Sequence, residues 1–243
     1  MLFRSAPALF LALAAPLALS PGDAGAASIN HGTFNGTTIA FQNVTESSIT
    51  DGLPLFGAPT VAGDGLAFTP SAGFQSSAAG GADTTSATLS ITLQAAPGQF
   101  LQNIVIAESG SFAFATDALT AGTGQVSISG LLTVTDLSNG TGVRTAVLLV
   151  NASGALSYPG VPNAVDGTWT ASASIDLSGL GITRARVQLN NNLQSLSSNA
   201  AVSATVRKDL VTITNTPEPG TAALLAAGLA GLGLAGRRRP GRA

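Results

Sequence analysis

Apolar and polar residues alternate with a period of two along much of this chain. A β-strand places successive side chains on opposite faces of its sheet, so the pattern is typical of strands with one buried face. The clearest case is the stretch 85–94, whose apolar residues are Ala87, Leu89, Ile91 and Leu93. The same alternation predicts strands at 125–135, with a break at Gly130, and at 169–177, 185–189 and 202–206.

Two further stretches are read as strands on other grounds. The run 147–150 is continuously apolar, which predicts a central strand buried on both faces, and 102–107 predicts another strand. Turn signals separate the strands, among them Pro97-Gly98, Ser109-Gly110, Asn139-Gly140, Asp166-Gly167 and Ser178-Gly179. The segment 53–81 is rich in Gly, Pro, Ser and Ala, and we expect a long loop with short extended pieces such as 66–69.

These features together favour one all-β domain at residues 27–215. No stretch within this domain shows a capped helix with a period of 3.6 residues, so we expect an antiparallel β-sandwich or a jelly-roll-like fold. The chain has 243 residues and no cysteine, which excludes disulfides and zinc–cysteine sites. Charged residues make up 9% of it, and the middle is mildly acidic, so there is no basic surface for nucleic acid.

The first 26 residues have the pattern of a secretory signal peptide. Arg4 precedes an apolar run that is too short to span a bilayer stably, and small residues follow it. An A-x-A site fits Ala24 to Ala26, with cleavage before Ala27 by signal peptidase.

The last 28 residues, 216–243, form a three-part tail. Pro217, Glu218 and Pro219 end the β-domain, because proline cannot continue a β-ladder. Residues 221–236 are apolar apart from one threonine, and they predict a single hydrophobic helix close to the length that spans a membrane. The cluster of Arg237, Arg238 and Arg239 then predicts a cytoplasmic C-terminus by the positive-inside rule.

This tail resembles the PEP-CTERM sorting signal. The resemblance rests on the Pro-Glu-Pro motif, the apolar helix and the arginine cluster, in that order. It implies a Gram-negative bacterium, recognition of Pro217, Glu218 and Pro219 by an exosortase, and transient anchoring in the inner membrane. It further implies a final position at the cell surface or in the extracellular matrix. A plain single-span anchor is the alternative.

Residues for catalysis are few. His31, the only histidine, is expected to be a solvated residue near the mature N-terminus. A glycosidase needs two facing carboxyl groups, and Glu46 and Glu108 are the only glutamates of the β-domain, so they are the first pair to consider. Nothing in the sequence places them together, and we expect no enzyme activity and no cofactor.

Binding sites are equally sparse in the sequence. Asp51, Asp64 and Asp83 lie near glycines and could bind calcium, although aspartate beside glycine is also typical of turns. Trp169 and Tyr158 could stack on a sugar ring. Trp169 shares a face with apolar residues and is expected in the core, whereas Tyr158 beside Pro159-Gly160 is expected in a turn and exposed.

The sequence therefore favours an exported, non-enzymatic surface or matrix β-protein, with exopolysaccharide as a candidate partner. A carbohydrate- or calcium-dependent binding module and a matrix polysaccharide hydrolase are the alternatives. The ligand, the strand order and the oligomeric state do not follow from the sequence.

Overall fold

The fold is built from β-strands alone in the part of the chain that the structure describes. This structure is a computed structural model, and it describes residues 27–70, 73–116, 122–140, 142–158 and 164–216. The strands are β1 (Ala27–Asn35), β2 (Ile39–Ser48), β3 (Thr60–Ala62), β4 (Gly65–Phe68), β5 (Gln75–Ala79), β6 (Gly81–Ala95), β7 (Asn103–Thr116), β8 (Gly124–Asp136), β9 (Val143–Val147), β10 (Leu149–Ala152), β11 (Ser157–Tyr158), β12 (Val165–Asp176), β13 (Arg184–Ser197) and β14 (Val202–Thr216).

The strands form two seven-stranded sheets. In sheet A the order is β1-β2-β6-β13-β8, and β8 also pairs with β9 and β11. In sheet B the order is β10-β12-β7-β14-β4-β3, and β5 also pairs with β14. Every pairing is antiparallel, which confirms the predicted all-β antiparallel architecture.

The core lies between the two sheets, and the alternating residues of the sequence form it. The apolar face predicted for 85–94 is buried, as are the faces predicted in β8, β12, β13 and β14. Each large apolar side chain that is fully buried contributes roughly 1.5–3 kcal/mol. Ser and Thr occupy most outward positions of β6 and β12, whereas Arg, Gln and Asn occupy most of those of β13.

The prediction of a central strand at 147–150 is wrong. Val147 and Leu149 are 66% and 75% exposed, while Leu148 between them is buried. The chain leaves sheet A at the end of β9 and enters sheet B at the start of β10, so Leu148 marks the crossing. A continuous apolar run fits a crossing as well as it fits a central strand, and periodicity does not distinguish the two.

Two predicted turns and one predicted break are also wrong, for a shared reason. Gly110 and Gly167 lie within β7 and β12, and Gly130 lies within β8. A Cβ atom at Gly110 would come within 2.6 Å of the Trp169 ring, and one at Gly167 within 2.5 Å of the Phe112 ring. These glycines make room for core side chains. Gly98, Gly140 and Gly179, by contrast, have positive φ angles, as tight turns require.

The segment 53–81 contains more structure than a loop. The predicted extended piece at 66–69 is confirmed by β4, and β3 and β5 flank it. The segment also places Phe56, Phe68 and Phe74 in the core, where the ring of Phe56 contacts the other two edge-on at centroid distances of 6.0 and 5.0 Å. The glycine- and proline-rich composition concealed this aromatic cluster.

The two predicted terminal segments lie outside the described residues. This applies to the signal peptide at 1–26 and to the hydrophobic helix at 221–236. Among the residues that are described, no helix is long and apolar enough to cross a membrane.

Candidate functional site

Three polar side chains meet in the middle of the sandwich, and we call them the core triad. Glu108 lies on β7, Lys208 on the neighbouring β14, and Asn191 on β13 of the opposite sheet. The Lys208 Nζ atom donates a hydrogen bond to Glu108 Oε2 at 2.5 Å, and Asn191 Nδ2 donates one to Glu108 Oε1 at 2.7 Å. One carboxyl group therefore holds an amine and a carboxamide side by side.

The alternation of the strands places all three residues inside. Glu108 follows Ile104 and Ile106 on the inner face of β7, and Asn191 follows Val187 and Leu189 on that of β13. Lys208 occupies the next inward position after Val202, Ala204 and Val206. A β-bulge between Lys208 and Leu210 adds Asp209 as an extra residue, so that Lys208 and Val211 both point inward.

Small residues next to the core triad leave space for it. On sheet A, Ala87 and Gly130 flank Asn191, and a Cβ atom at Gly130 would lie 2.8 Å from Asn191 Oδ1. On sheet B, Ala171 lies opposite Glu108, and Gly110 lies opposite Lys208. The side chains of the core triad thus fill the interior space that these small neighbouring residues leave empty.

The compartment is apolar and closed to water. Lys208 is buried, and its Nζ atom lies 4.9 Å from the centroid of the Phe74 ring and 5.7 Å from that of the Trp169 ring. Burial lowers the pKa of the Lys208 amine below its ordinary value, and the adjacent Glu108 carboxyl opposes this shift. A buried ion pair costs desolvation energy that its attraction only partly offsets, so stability alone does not account for the core triad.

One atom of the core triad has no hydrogen-bond partner. Asn191 Oδ1 is buried and accepts no hydrogen bond, while the Nδ2 atom of the same amide is bound to Glu108. A buried acceptor of this kind costs roughly 1–3 kcal/mol.

The other glutamate of the domain, Glu46, fastens a loop to sheet A. Its Oε2 atom accepts hydrogen bonds from the backbone amides of Leu55 and Phe56 at 3.2 and 2.7 Å. Its Oε1 atom lies 3.2 Å from Nε2 of His31. The expected solvated histidine is therefore wrong, because His31 follows Ala27 and Ile29 on the less exposed face of β1, where its ring reaches Glu46.

Glu46 and Glu108 do not form a catalytic pair in this structure. They lie on different sheets, are both buried, and bind different partners.

The three aspartates proposed for calcium also serve separate contacts. Asp51 accepts a hydrogen bond from Thr50, Asp64 accepts bonds from Thr38 and Ile39, and Asp83 accepts one from Ser77. Within the described ranges, no group of three or more metal-binding side chains is present.

The two aromatic candidates for sugar stacking both lie in the core. Trp169 is buried as expected, and its indole Nε1 donates a hydrogen bond to the carbonyl of Arg207 at 3.1 Å. The expected exposure of Tyr158 is wrong. The Tyr158 ring stacks on that of Phe114 at a centroid distance of 6.0 Å, because β11 pairs with β8 at the end of sheet A.

Each sheet carries a shallow groove on its outer face. The groove on sheet A has a volume of about 430 Å³ and the groove on sheet B about 550 Å³. The sheet A groove is lined by hydroxyl and carboxamide groups from neighbouring strands, including Ser86, Thr88, Ser129, Asn190 and Asn192. Apolar side chains contribute to both grooves as well, Leu131 and Val147 on sheet A and Leu149 and Leu210 on sheet B.

The predicted processing residues lie almost entirely outside the described ranges. This holds for Ala24 and Ala26, for Pro217, Glu218 and Pro219, and for Arg237, Arg238 and Arg239, whereas Ala27 begins β1.

Sequence reasoning did not single out Lys208 or Asn191. Both residues occupy core-facing positions of strands in which apolar and polar residues alternate. A polar residue at such a position is the signal that could have identified them. Lys208 is moreover the only lysine of the chain.

Comparison with known proteins identifies the tail. Residues 215–239 match the PEP-CTERM protein-sorting motif. No curated protein sequence matches the chain.

Solved structures give only weak similarity. The enzymatically active domain of tailspike protein 4 from bacteriophage CBA120 is 12% identical with a TM-score of 0.16, and the match covers 78% of this chain and 19% of that one. A structure of the infectious bursal disease virus Gt strain is 12% identical with a TM-score of 0.18, covering 74% of this chain and 53% of that one. The chain thus spans about a fifth and about half of the lengths of these two chains.

Proposed function

Because this chain is a PEP-CTERM domain-containing protein, we propose that it is a non-enzymatic structural or adhesive component of an exopolysaccharide matrix. The motif at 215–239 indicates export and processing by an exosortase. The single observation that carries the proposal is the junction of this motif with an all-strand domain, whose last strand β14 ends at Thr216.

Three features of the domain support a structural role. The outward positions of β6 and β12 carry mostly Ser and Thr rather than charged residues, so these strands offer neutral hydrogen-bonding groups to a polysaccharide. Its two glutamates are buried and engaged with different partners, which argues against a pair of hydrolytic carboxyl groups. Aromatic and aliphatic side chains fill the core between its two sheets.

Intact mass of the protein in each cell fraction of the native host tests the sorting step. We expect a species that begins near Ala27, lacks the residues after Pro219, and is found at the cell surface or in the matrix. Glu218→Ala should leave the tail attached and the protein in the inner membrane, whereas Thr221→Ala, the matched control, should be processed normally. A wild-type protein that retains Arg237 to Ala243 in the inner membrane would contradict the processing and leave a membrane-anchored β-domain.

The sheet A groove favours a second candidate function, a carbohydrate-binding module. Its hydroxyl and carboxamide groups come from three adjacent strands, and Thr88 already donates a hydrogen bond to Asn190 Oδ1 at 2.8 Å. Such groups suit a neutral sugar chain.

Titration with the host exopolysaccharide distinguishes binding from a passive structural role. Asn192→Ala alters the sheet A groove, and Asn151→Ala is the matched control in the sheet B groove. A binding module predicts saturable binding that is weakened about fivefold by the first substitution only, because a hydrogen bond contributes about 1 kcal/mol. Absence of saturable binding to the wild-type protein would exclude this candidate.

A further inference from the structure

The core triad brings together the groups needed to form an amide bond between two side chains. Lys208 supplies an amine, Asn191 supplies a carboxamide carbon, and Glu108 is hydrogen-bonded to both. We propose that Lys208 and Asn191 form an intramolecular isopeptide bond in the folded protein, with Glu108 as the proton-transferring residue.

The geometry favours this reaction over a passive ion pair. Amines do not attack unactivated amides in water at a useful rate, but two groups fixed side by side react as if at a very high local concentration. Here the two groups come from opposite sheets, and packing of the sandwich holds them on one carboxyl group. Folding therefore assembles the reacting groups, and the unfolded chain does not.

The apolar surroundings favour the reactive form of the amine. Attack requires a neutral amine, and burial lowers the pKa of Lys208, so the structure penalises the charged form. The proton can pass to Glu108 along the 2.5 Å hydrogen bond between Lys208 Nζ and Glu108 Oε2. The rings of Phe74 and Trp169 keep water away from the amine.

The unpartnered oxygen of Asn191 fits the same mechanism. Glu108, once it holds the proton, can donate a hydrogen bond, and half a turn of the Asn191 amide brings Oδ1 onto it. This satisfies the one orphaned atom of the core triad and polarises the Asn191 carbonyl toward attack.

The step is balanced without any other reactant. The lone pair of Lys208 Nζ forms a bond to Asn191 Cγ, and the carbonyl electron pair moves onto Oδ1, which Glu108 stabilises. When the carbonyl re-forms, the bond from Cγ to Nδ2 breaks. Glu108 transfers a proton from Nζ to the departing nitrogen, so that one ammonia molecule leaves and Glu108 keeps the proton that it took from Lys208 before the attack. Nothing is oxidised or reduced.

Such a bond would join the two sheets covalently. Asn191 lies on β13 of sheet A, and Lys208 lies on β14 of sheet B. The chain has no cysteine, so this bond takes the place that a disulfide has in other exported domains. The proposal does not depend on the function of the domain or on processing of its tail.

Mass spectrometry of the folded wild-type protein tests the proposal directly. Cleavage before aspartate releases the fragment 176–208, which contains both residues, and we expect it about 17 Da lighter than its formula through loss of ammonia. In a chain without the isopeptide bond, further cleavage after arginine separates Lys208 from the fragment 187–207. In the cross-linked chain, Lys208 stays attached to 187–207 through Asn191.

This second digestion excludes another source of the same mass change. An asparagine can also lose ammonia by forming a cyclic imide, and the fragment 176–208 contains Asn190, Asn192 and Asn199 besides Asn191, but that product carries no attached lysine. A fragment 176–208 of full formula mass, or a loss of ammonia only at another asparagine, would overturn the proposal.

Variants assign the roles of the three residues. Asn191→Ala and Glu108→Gln should abolish the attachment, while Asn190→Ala, the matched change on the outer face of β13, should leave it intact. Retention of the attachment in folded Glu108→Gln would overturn the role of Glu108. If these variants do not fold, the wild-type chain can be kept unfolded before it reacts and then refolded. We expect the full formula mass before refolding and the loss of ammonia only afterwards.

Discussion

At the scale of single residues, Glu46 shows how one buried carboxylate can hold a long loop. It accepts hydrogen bonds from two consecutive backbone amides, those of Leu55 and Phe56, and both of these residues are fully buried. Without an acceptor, two amide groups would remain buried and unsatisfied, which is costly in a protein interior. Glu46 thus determines where the chain enters the aromatic cluster around Phe56.

Replacing Glu46 by glutamine should destabilise the fold although it preserves shape. Both backbone amides donate to Oε2, and a neutral carboxamide oxygen is a weaker acceptor than a carboxylate oxygen. We expect the free energy of unfolding in urea to fall by about 1–3 kcal/mol. Asp51→Asn, a change of the same chemistry at an exposed hydrogen bond, should alter it by less than about 0.5 kcal/mol. Equal effects of the two changes would contradict the anchoring role.

Single residues also mark the limit of what the sequence could predict. The period-two pattern located the buried faces of β6, β8, β12, β13 and β14, because burial on one face is a local property of each strand. It did not bring Glu108, Lys208 and Asn191 together, since that contact depends on how two sheets pack. Each of the three is nevertheless visible in the sequence of its own strand, as a polar residue at a position where the alternation predicts an apolar one.

At the scale of elements, the link between β9 and β10 carries the chain from one sheet to the other. Leu148 is the buried residue of this link, and its amide donates a hydrogen bond to the carbonyl of Gly130. The sequence 147–150 predicted a buried strand because all four residues are apolar. Only the pairing of β9 with β8 and of β10 with β12 shows that the two residues flanking Leu148 face outward.

Alanine substitutions along this link should therefore have unequal effects. Leu148→Ala removes a buried side chain and leaves a cavity, and we expect a loss of about 2–5 kcal/mol in unfolding free energy. Leu149→Ala, the same chemical change one residue later, should cost less than about 0.5 kcal/mol because that side chain is largely exposed. Thermal or urea unfolding of both variants measures the difference, and a large loss at Leu149 would support the central strand instead.

At the scale of the whole molecule, electrostatics contributes little to the stability of the described domain. Charged residues make up only 9% of the chain, and an ion pair between exposed side chains joins Arg207 to Asp209 at 3.1 Å. Exposed pairs of this kind contribute about 0–1 kcal/mol and are screened by salt. The stability of the sandwich comes mainly from its apolar core and its β-ladders.

The melting temperature should consequently respond only weakly to ionic strength. Raising sodium chloride from about 0.01 to 0.15 M shortens the Debye length from about 30 to 8 Å, which screens surface charges. We expect the melting temperature to change by no more than about 2 °C, the shift that corresponds to roughly 0.5–1 kcal/mol in a domain of this size. A fall of about 10 °C in calorimetry would show that surface charges matter more than the structure indicates.

The position of β14 has a consequence for mechanical load. This last strand lies inside sheet B, paired with β7 along its whole length and with β4 and β5 on its other side. A force applied at Thr216 acts along the strand, so the hydrogen bonds of three ladders are loaded together rather than broken one after another. A domain tethered at this end would therefore resist being pulled open by flow or by a moving surface.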